Sequence, residues 1–302
     1  MDERAALALL EDELDPVGDD AAVVDGLVIT TDMLHERTDF PTGTTRYTAG
    51  WRAVGASLSD VAAMGAEATA AVAAYAAPEF DGEELLAFVR GARDVCEHVG
   101  AKYVGGDLDG HEEFTVATTA VGRTDAPVLR SGANPGDLVC VTGALGRSAA
   151  ALEQFERATQ GEETDADTLE SANELFRFEP RIEAGLGLSP HATAMMDSSD
   201  GLARSLHQLA AASDCGFAIE SDSIPVADAL CDVIDDTDTA LERATTFGED
   251  FELVATLPEA ALEDARSATD VEISVLGTVE DTDAGITIDG ETLPDRGYTH
   301  GA

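Results

Sequence analysis

Several short runs in this chain carry a carboxylate beside hydroxyls or glycines at the end of an apolar stretch. They are Val17-Gly18-Asp19-Asp20, Val28-Ile29-Thr30-Thr31-Asp32, Tyr103-Val104-Gly105-Gly106-Asp107 and Met195-Met196-Asp197-Ser198-Ser199-Asp200-Gly201. A burial-prone run that delivers a carboxylate is costly unless the charge meets a cation. Asp60 belongs with them. It shares a helical line with Ala53, Ala56, Ser57 and Met64, small or apolar neighbours beside which an unpaired charge is expensive. Carboxylates converging with hydroxyls make a hard-oxygen site, the kind Mg2+ takes when phosphates complete its coordination. Each acid alone also suits an ordinary turn. Together, Asp20, Asp32, Asp60, Asp107, Asp197 and Asp200, with Thr30, Thr31 and Ser199 as further oxygen donors, form the candidate set for a polymetal phosphate site.

A nucleotide on this chain would have to be held without the usual loops. No G-x-x-x-x-G-K-[ST] run is present, no G-x-G-x-x-G follows a strand, and Lys102 is the only lysine. Polyphosphate charge would then be neutralised by divalent metal on aspartates, helped by an arginine such as Arg130.

The chain has 302 residues, 61 acids against 17 lysines and arginines, and a net charge of −44. With 44% hydrophobic residues and apolar periodicity nearly throughout, it reads as a folded, salt-adapted protein of a halophile's cytoplasm. No basic stripe exists to meet nucleic acid or an anionic membrane. Cys96, Cys140, Cys215 and Cys231 have no paired spacing, so neither a zinc site nor a disulfide frame is expected. The first residues, Met1 to Pro16, lack a signal-peptide core, and no apolar run reaches membrane-spanning length.

The elements that must position these acids follow from patterning. Ala5–Leu14 reads as an amphipathic helix. Ala21–Val24 and Leu27–Thr31 read as a hairpin about the Asp25-Gly26 turn. Trp51, Val54, Leu58, Val61 and Met64 recur at helical spacing within Thr48–Met64. Ala68–Tyr75, Tyr103-Val104 and Phe114–Val121 read as strands, and Glu83–Gly100 as a helix. Arg130 to Asp137 is the best boundary, dividing residues 1–134 from 135–302.

Beyond the boundary come a strand at Leu138–Thr142 and a helix at Ser148–Phe155, opened by Gly143-Ala144-Leu145-Gly146. A solvated loop and helix start occupy Gln160–Glu170, and a helix begins after Gly201. Phe217–Glu220, Phe251–Thr256, Ile273–Thr278 and Ile286–Ile288 read as strands, Val226–Ile234 and Leu262–Ala268 as helices. Strands and helices mix without strict alternation, which points to an α+β fold in two domains with mixed sheets flanked by helices.

The order of the motifs resembles the thiamine-monophosphate kinase family, in the superfamily of phosphoribosyl-aminoimidazole (AIR) synthetase, selenophosphate synthetase and HypE. The likeness runs through Gly18-Asp19-Asp20-Ala21-Ala22, Thr30-Thr31-Asp32, Leu58-Ser59-Asp60-Val61-Ala62-Ala63-Met64-Gly65-Ala66, Gly105-Gly106-Asp107, Arg130-Ser131-Gly132-Ala133, Asp197-Ser198-Ser199-Asp200-Gly201-Leu202 and Gly248-Glu249-Asp250-Phe251-Glu252-Leu253. It implies phosphorylation of thiamine monophosphate by ATP with several Mg2+ ions, in a homodimer whose N-terminal sheets pair. Residues 1–134 would then be the ATP, metal and dimerisation domain.

The resemblance implies Asp20, Thr30, Thr31, Asp32, Asp60, Asp107, Asp197 and Asp200 as metal ligands, with Asp32, Asp107 and Asp200 at the chemistry. Gly106, Asp107, Arg130 and Ser199 become nucleotide contacts, and Glu249 a substrate contact. Where the family carries a histidine before a phenylalanine this chain has Asp39-Phe40, so His35 or Asp39 is the replacement; Tyr298 is the candidate aromatic contact. The rivals are an AIR synthetase-like enzyme and a non-catalytic nucleotide-binding scaffold. The G-T-D-G-V-G-T-K-like loop of the first does not follow Thr31-Asp32.

Overall fold

The computed structural model describes residues 18–160 and 165–298. The helix expected at Ala5–Leu14 lies outside them. Strands β1 (Ala22–Val24) and β2 (Leu27–His35) form the expected hairpin. A single helical turn, α1 (Glu36–Asp39), leads to the long helix α2 (Arg46–Ala63), then β3 (Glu67–Ala77), α3 (Gly82–His98), β4 (Lys102–Gly110) and β5 (Thr115–Arg123). The sheet order is β1-β2-β5-β3-β4. Only β3 and β4 pair in parallel, since α3 carries the chain back across the sheet between them.

The second half contributes β6 (Leu138–Thr142), α4 (Arg147–Thr159), α5 (Ala166–Phe176), α6 (Ile182–Leu188), β7 (Ala194–Asp197), α7 (Leu202–Ser213) and β8 (Cys215–Ile219). It continues with α8 (Asp228–Cys231), α9 (Thr237–Thr246), β9 (Leu253–Leu257), α10 (Leu262–Ser267), β10 (Ile273–Asp281), β11 (Ile286–Ile288) and β12 (Glu291–Thr292). These strands make a seven-stranded sheet, β12-β11-β8-β10-β6-β9-β7, parallel only at β8–β11. Both sheets are therefore mixed, as expected. None of the described helices is long and apolar enough to cross a membrane.

Helix α2 is the axle of the molecule. The Thr45 hydroxyl caps it by accepting from the Thr48 N–H at 3.1 Å. Of its eighteen residues fourteen are buried, so it is covered on every side. It packs on β2, β3 and β5 of the first sheet and on β7 of the second. One hydrophobic core accordingly runs through it, joining Val28, Leu58, Phe88 and Phe114 to Cys140, Met195, Leu253 and Ile273 from beyond the boundary. A second core, with Leu206, Phe217 and Leu276, fills the far face of the seven-stranded sheet.

Some elements depart from the sequence reading. β2 runs on to His35 and β4 to Gly110, so Asp32 and Asp107 sit within strands, not at their ends. The strand expected from Phe251 begins at Leu253, because Phe251 has φ +55° and gives its N–H to the Ser198 carbonyl. The helix at Val226–Ile234 is one turn. Helices α6 and α9 were not expected. The first contains two glycines, poor helix formers, and is held by packing so close that a Cβ on Gly185 would lie 2.2 Å from the Ala62 carbonyl oxygen.

Helices α2 and α3 cross at glycine. A Cβ on Gly91 would lie 1.9 Å from the Tyr47 carbonyl oxygen, and one on Gly50 would lie 2.1 Å from that of Phe88. Glycine-to-alanine in a helix ordinarily stabilises, by up to about 1 kcal/mol. Here the sign is reversed: Gly91→Ala is expected to destabilise by about 1–3 kcal/mol through overpacking, read as a lower denaturation midpoint in concentrated KCl.

Candidate active site

The segment before β1, strand β2, α2 and β7 deliver acids to the seam between the sheets, and the segment before β6 delivers Arg130. One carboxylate oxygen from each of Asp20, Asp60 and Asp197 lies within 4.8 Å of the others. Arg130 meets the group through Asp20, with Nη2 and Nε at 2.9 and 3.2 Å from its two oxygens. The carboxylate of Asp19 accepts from the Arg130 backbone N–H at 2.7 Å and so fixes the arginine's place. Thr30 donates to Asp60 at 2.5 Å. Asp32, two residues along the same face of β2, accepts from Ser57 at 2.6 Å, and Ser57 is bonded to Thr118 at 2.7 Å.

This much buried charge is not balanced by one arginine. Burial, and then the charges of Asp32, Asp197 and Asp20, push Asp60 well above the usual carboxylate range. Burial, and then Asp20, push Asp197 up to about 7, with the charge of Arg130 pulling the other way. Asp32 is raised by burial, with the Ser57 bond opposing and the charge of Glu249 adding to it. Arg130 is held more basic than usual, because Asp20 outweighs the cost of its burial. Oδ2 of Asp197 and the hydroxyls of Ser59 and Ser198 are buried with no hydrogen-bond partner. Orphaned oxygens among excess negative charge, with no nitrogen or sulfur donor in the group, fit a hard divalent cation.

A cavity of about 170 Å³ opens beside this cluster, lined by Asp39, Leu152, Phe176, Phe247, Glu249 and Tyr298 among others. It brings together the three expected substrate residues. Asp39 accepts from the His35 N–H at 2.6 Å and from the Thr38 hydroxyl at 2.9 Å, and Tyr298 Oη is 3.5 Å from it. Between His35 and Asp39 the structure thus chooses Asp39 for the cavity; the His35 ring turns to Thr115 at 3.0 Å. Burial and the charges of Asp39 and Glu249 push the Tyr298 phenol up to about 12, which keeps it a neutral donor. An aromatic wall flanked by two carboxylates suits a flat cation.

The loop that carries Glu249 is wound tightly. Gly248, Glu249 and Phe251 have φ of +83°, +63° and +55°. Glu249 gives its N–H to the Ser199 carbonyl at 2.6 Å. Asp250 takes the N–H groups of Gly146 and Ser148 at 2.5 and 2.9 Å, capping α4. The glycine turn before α4 is therefore filled by the Asp250 carboxylate. Glu252 makes a two-pronged bond to Arg181 at 2.8 and 2.5 Å.

Other expected residues stand apart. Asp107 is exposed on the edge strand β4, in register with Ala74 and outside the Asp20, Asp60 and Asp197 group. Thr31 is exposed on the side of β2 away from Thr30 and Asp32, its hydroxyl donating to the Thr118 carbonyl at 2.7 Å. Gly106 packs so tightly that a Cβ would lie 1.7 Å from the Ala73 carbonyl oxygen. Ser199 and Asp200 lie in the loop between β7 and α7, where the Asp200 carbonyl accepts from the Tyr298 N–H at 3.1 Å and its charge reaches the Tyr298 phenol. Sequence reasoning missed Arg52, Ser57, Ser59 and Thr118. Arg52 had a signal: it is the only charged residue between Arg46 and Asp60 in an otherwise small and apolar helix.

Residues 18–124 match the family of the AIR synthase related protein, N-terminal domain, and residues 134–289 that of its C-terminal domain. A relative from Halobacterium salinarum, thiamine-monophosphate kinase, is 62% identical over 300 residues, 99% of this chain and 100% of that one. The chain belongs to the thiamine-monophosphate kinase family. The family's Escherichia coli member is 33% identical over 94% of this chain and 91% of its own. Among solved structures, "AaThiL complexed with AMPPCP and TMP" superposes with a TM-score of 0.87 at 29% identity, covering 99% of this chain and 97% of that one. HypE in complex with ATP shares the fold, with a TM-score of 0.70 at 19% identity over 98% and 92% of the two chains.

The acid cluster makes a signed prediction. A carboxylate raised from 3.8 to about 7 holds, in the folded state, a proton that the unfolded chain has already released. Metal-free stability therefore falls through this group as pH rises across that interval. A divalent cation held by these acids would offset the loss, so any Mg2+-induced gain in Tm is expected to grow from pH 5 to pH 7.5. Asp60→Asn, which removes one of the repelling charges, is expected to raise the metal-free Tm by a few degrees and erase most of the Mg2+ gain.

Proposed function

We infer that the protein transfers the γ-phosphoryl group of ATP to a phosphate oxygen of thiamine monophosphate, giving ADP and thiamine diphosphate. The observation that carries this reading is adjacency. The acid cluster, suited to metal and polyphosphate, adjoins a cavity suited to a flat cation: Glu249 in the cavity wall gives its N–H to the Ser199 carbonyl, two residues past Asp197. Family membership along the whole chain supports the same substrates.

The acceptor phosphate is already ionised, so no strong general base is required, and catalysis rests on alignment and on screening phosphate from phosphate. Asp20, Asp60 and Asp197, with Asp32, Thr30 and Asp200, would hold Mg2+, which when bound supplies charge neutralisation to both phosphates. Gly106, Asp107, Arg130 and Ser199 would contact the nucleotide, Asp107 from the exposed edge strand β4. Asp39 and Glu249 receive the thiazolium and aminopyrimidine, and Tyr298 stacks or donates to them. The N-terminal portion, residues 1–134, is the nucleotide, metal and dimerisation domain, and residues 135–302 form the second domain. Ile29, Met33 and Val104 are exposed on the first sheet. A second copy covers that sheet in a homodimer, and the enzyme works in the cytoplasm, where its ATP is found.

The test is an assay of purified protein in concentrated KCl with ATP, Mg2+ and either thiamine monophosphate or thiamine, products separated by chromatography. Thiamine diphosphate from the monophosphate alone is expected; ATP binding without turnover would favour a scaffold. Asp107→Asn is expected to lower kcat by about 100-fold or more with an unchanged far-UV spectrum, and an active variant would remove Asp107 from the nucleotide contacts.

A further inference from the structure

We propose that Arg52 is a positioning residue for substrate, holding Glu249 and Phe176 in place from behind the cavity wall. The inference rests on the kinase reading above. Arg52 is 2% exposed, and its guanidinium is shared between two residues that line the cavity. Nη1 donates to the Phe176 carbonyl at 2.6 Å, while Nη2 makes a short ion pair with the Glu249 carboxylate and lies 3.4 Å from the Glu249 carbonyl. Its plane rests on the Phe176 ring with 3.6 Å from Cζ to the centroid, and the stacked rings of Phe178 and Phe251 close the other side at 5.3 and 5.6 Å.

A structural ion pair alone would not require this arrangement. Glu249 sits at φ +63°, a conformation that a residue with a side chain takes only when its surroundings impose it. The backbone bond to Ser199 and the capping role of Asp250 fix the loop, but neither touches the Glu249 carboxylate. Arg52 supplies the hold on the carboxylate itself. A planar, stacked, forked cation does this in a way an ammonium cannot. Arg52 also stands on the helix that carries Ser57, Ser59 and Asp60 to the acid cluster, with Asp60 about 12 Å further along the axis. Helix α2 is therefore one rigid ruler between the group that binds the acceptor and the group that binds the metal, and Arg52 sets its acceptor end.

The experiment compares wild type, Arg52→Lys, Glu249→Gln and the double variant Arg52→Met/Glu249→Gln, which leaves no buried charge without its partner. KM for thiamine monophosphate is expected to rise at least tenfold in Arg52→Lys and in the double variant. KM for ATP and the Mg2+-induced gain in Tm should stay within twofold of wild type. A folded Arg52→Lys or double variant with wild-type KM for thiamine monophosphate overturns the assignment, as does an equal rise in KM for ATP. If wild type fails to phosphorylate thiamine monophosphate, the kinase reading falls, and a crystal structure of Arg52→Lys decides the positioning role separately. Glu249 displaced from the cavity wall supports it, and Glu249 unmoved overturns it.

Discussion

Like charges crowded out of water repel one another, and this constraint shapes the seam between the two sheets. Asp20, Asp60 and Asp197 face one another across less than 4.8 Å, with Arg130 bonded to only one of them. Such a group is tolerated because its carriers are anchored elsewhere. Asp20 follows Asp19, which is tied to the Arg130 backbone; Asp60 rides the most deeply buried helix; Asp197 ends a strand whose four residues are all buried. The core holds the acids together against their repulsion, and the repulsion leaves a strong preference for a divalent cation.

The second organising element is the run from Gly248 to Glu252, in which three neighbouring acids do three different things. Glu249 faces the cavity, Asp250 caps a helix, and Glu252 locks onto Arg181. Positive φ at Glu249 and Phe251 is what lets consecutive side chains diverge so sharply. A strand would have sent Glu249 and Phe251 to the same side. The loop is held by carbonyls from Ser198 and Ser199, so the acid motif before α7 and the glycine-acid motif before β9 form one unit despite some fifty intervening residues.

Much of the fold was legible because hydrophobic periodicity is strong where one face is buried. The hairpin at Asp25-Gly26, the two long N-terminal helices and the mixed sheets were all readable. Helix α9 was not, because its threonine-rich sequence has little apolar contrast and its stability comes from packing. Asp20, Asp60 and Asp197 could be nominated from their apolar surroundings. Their meeting could not, since it depends on how α2 lies between the sheets. Arg52 stood out in the sequence only as a lone charge in an apolar stretch, and its partner Glu249 is nearly two hundred residues away. The cavity trio of Asp39, Glu249 and Tyr298 came from family likeness and not from any pattern in the residues themselves.

The apolar interior wrapped around α2 has a further consequence. The two family segments meet between residues 124 and 134, yet Cys140, Met195 and Leu253 belong to the same continuous interior as Val28 and Phe114. Severing the chain at that joint would bare an oily flank on each fragment. Melting should thus proceed as one concerted event, and the modular look of the sequence conceals a thermodynamically indivisible body.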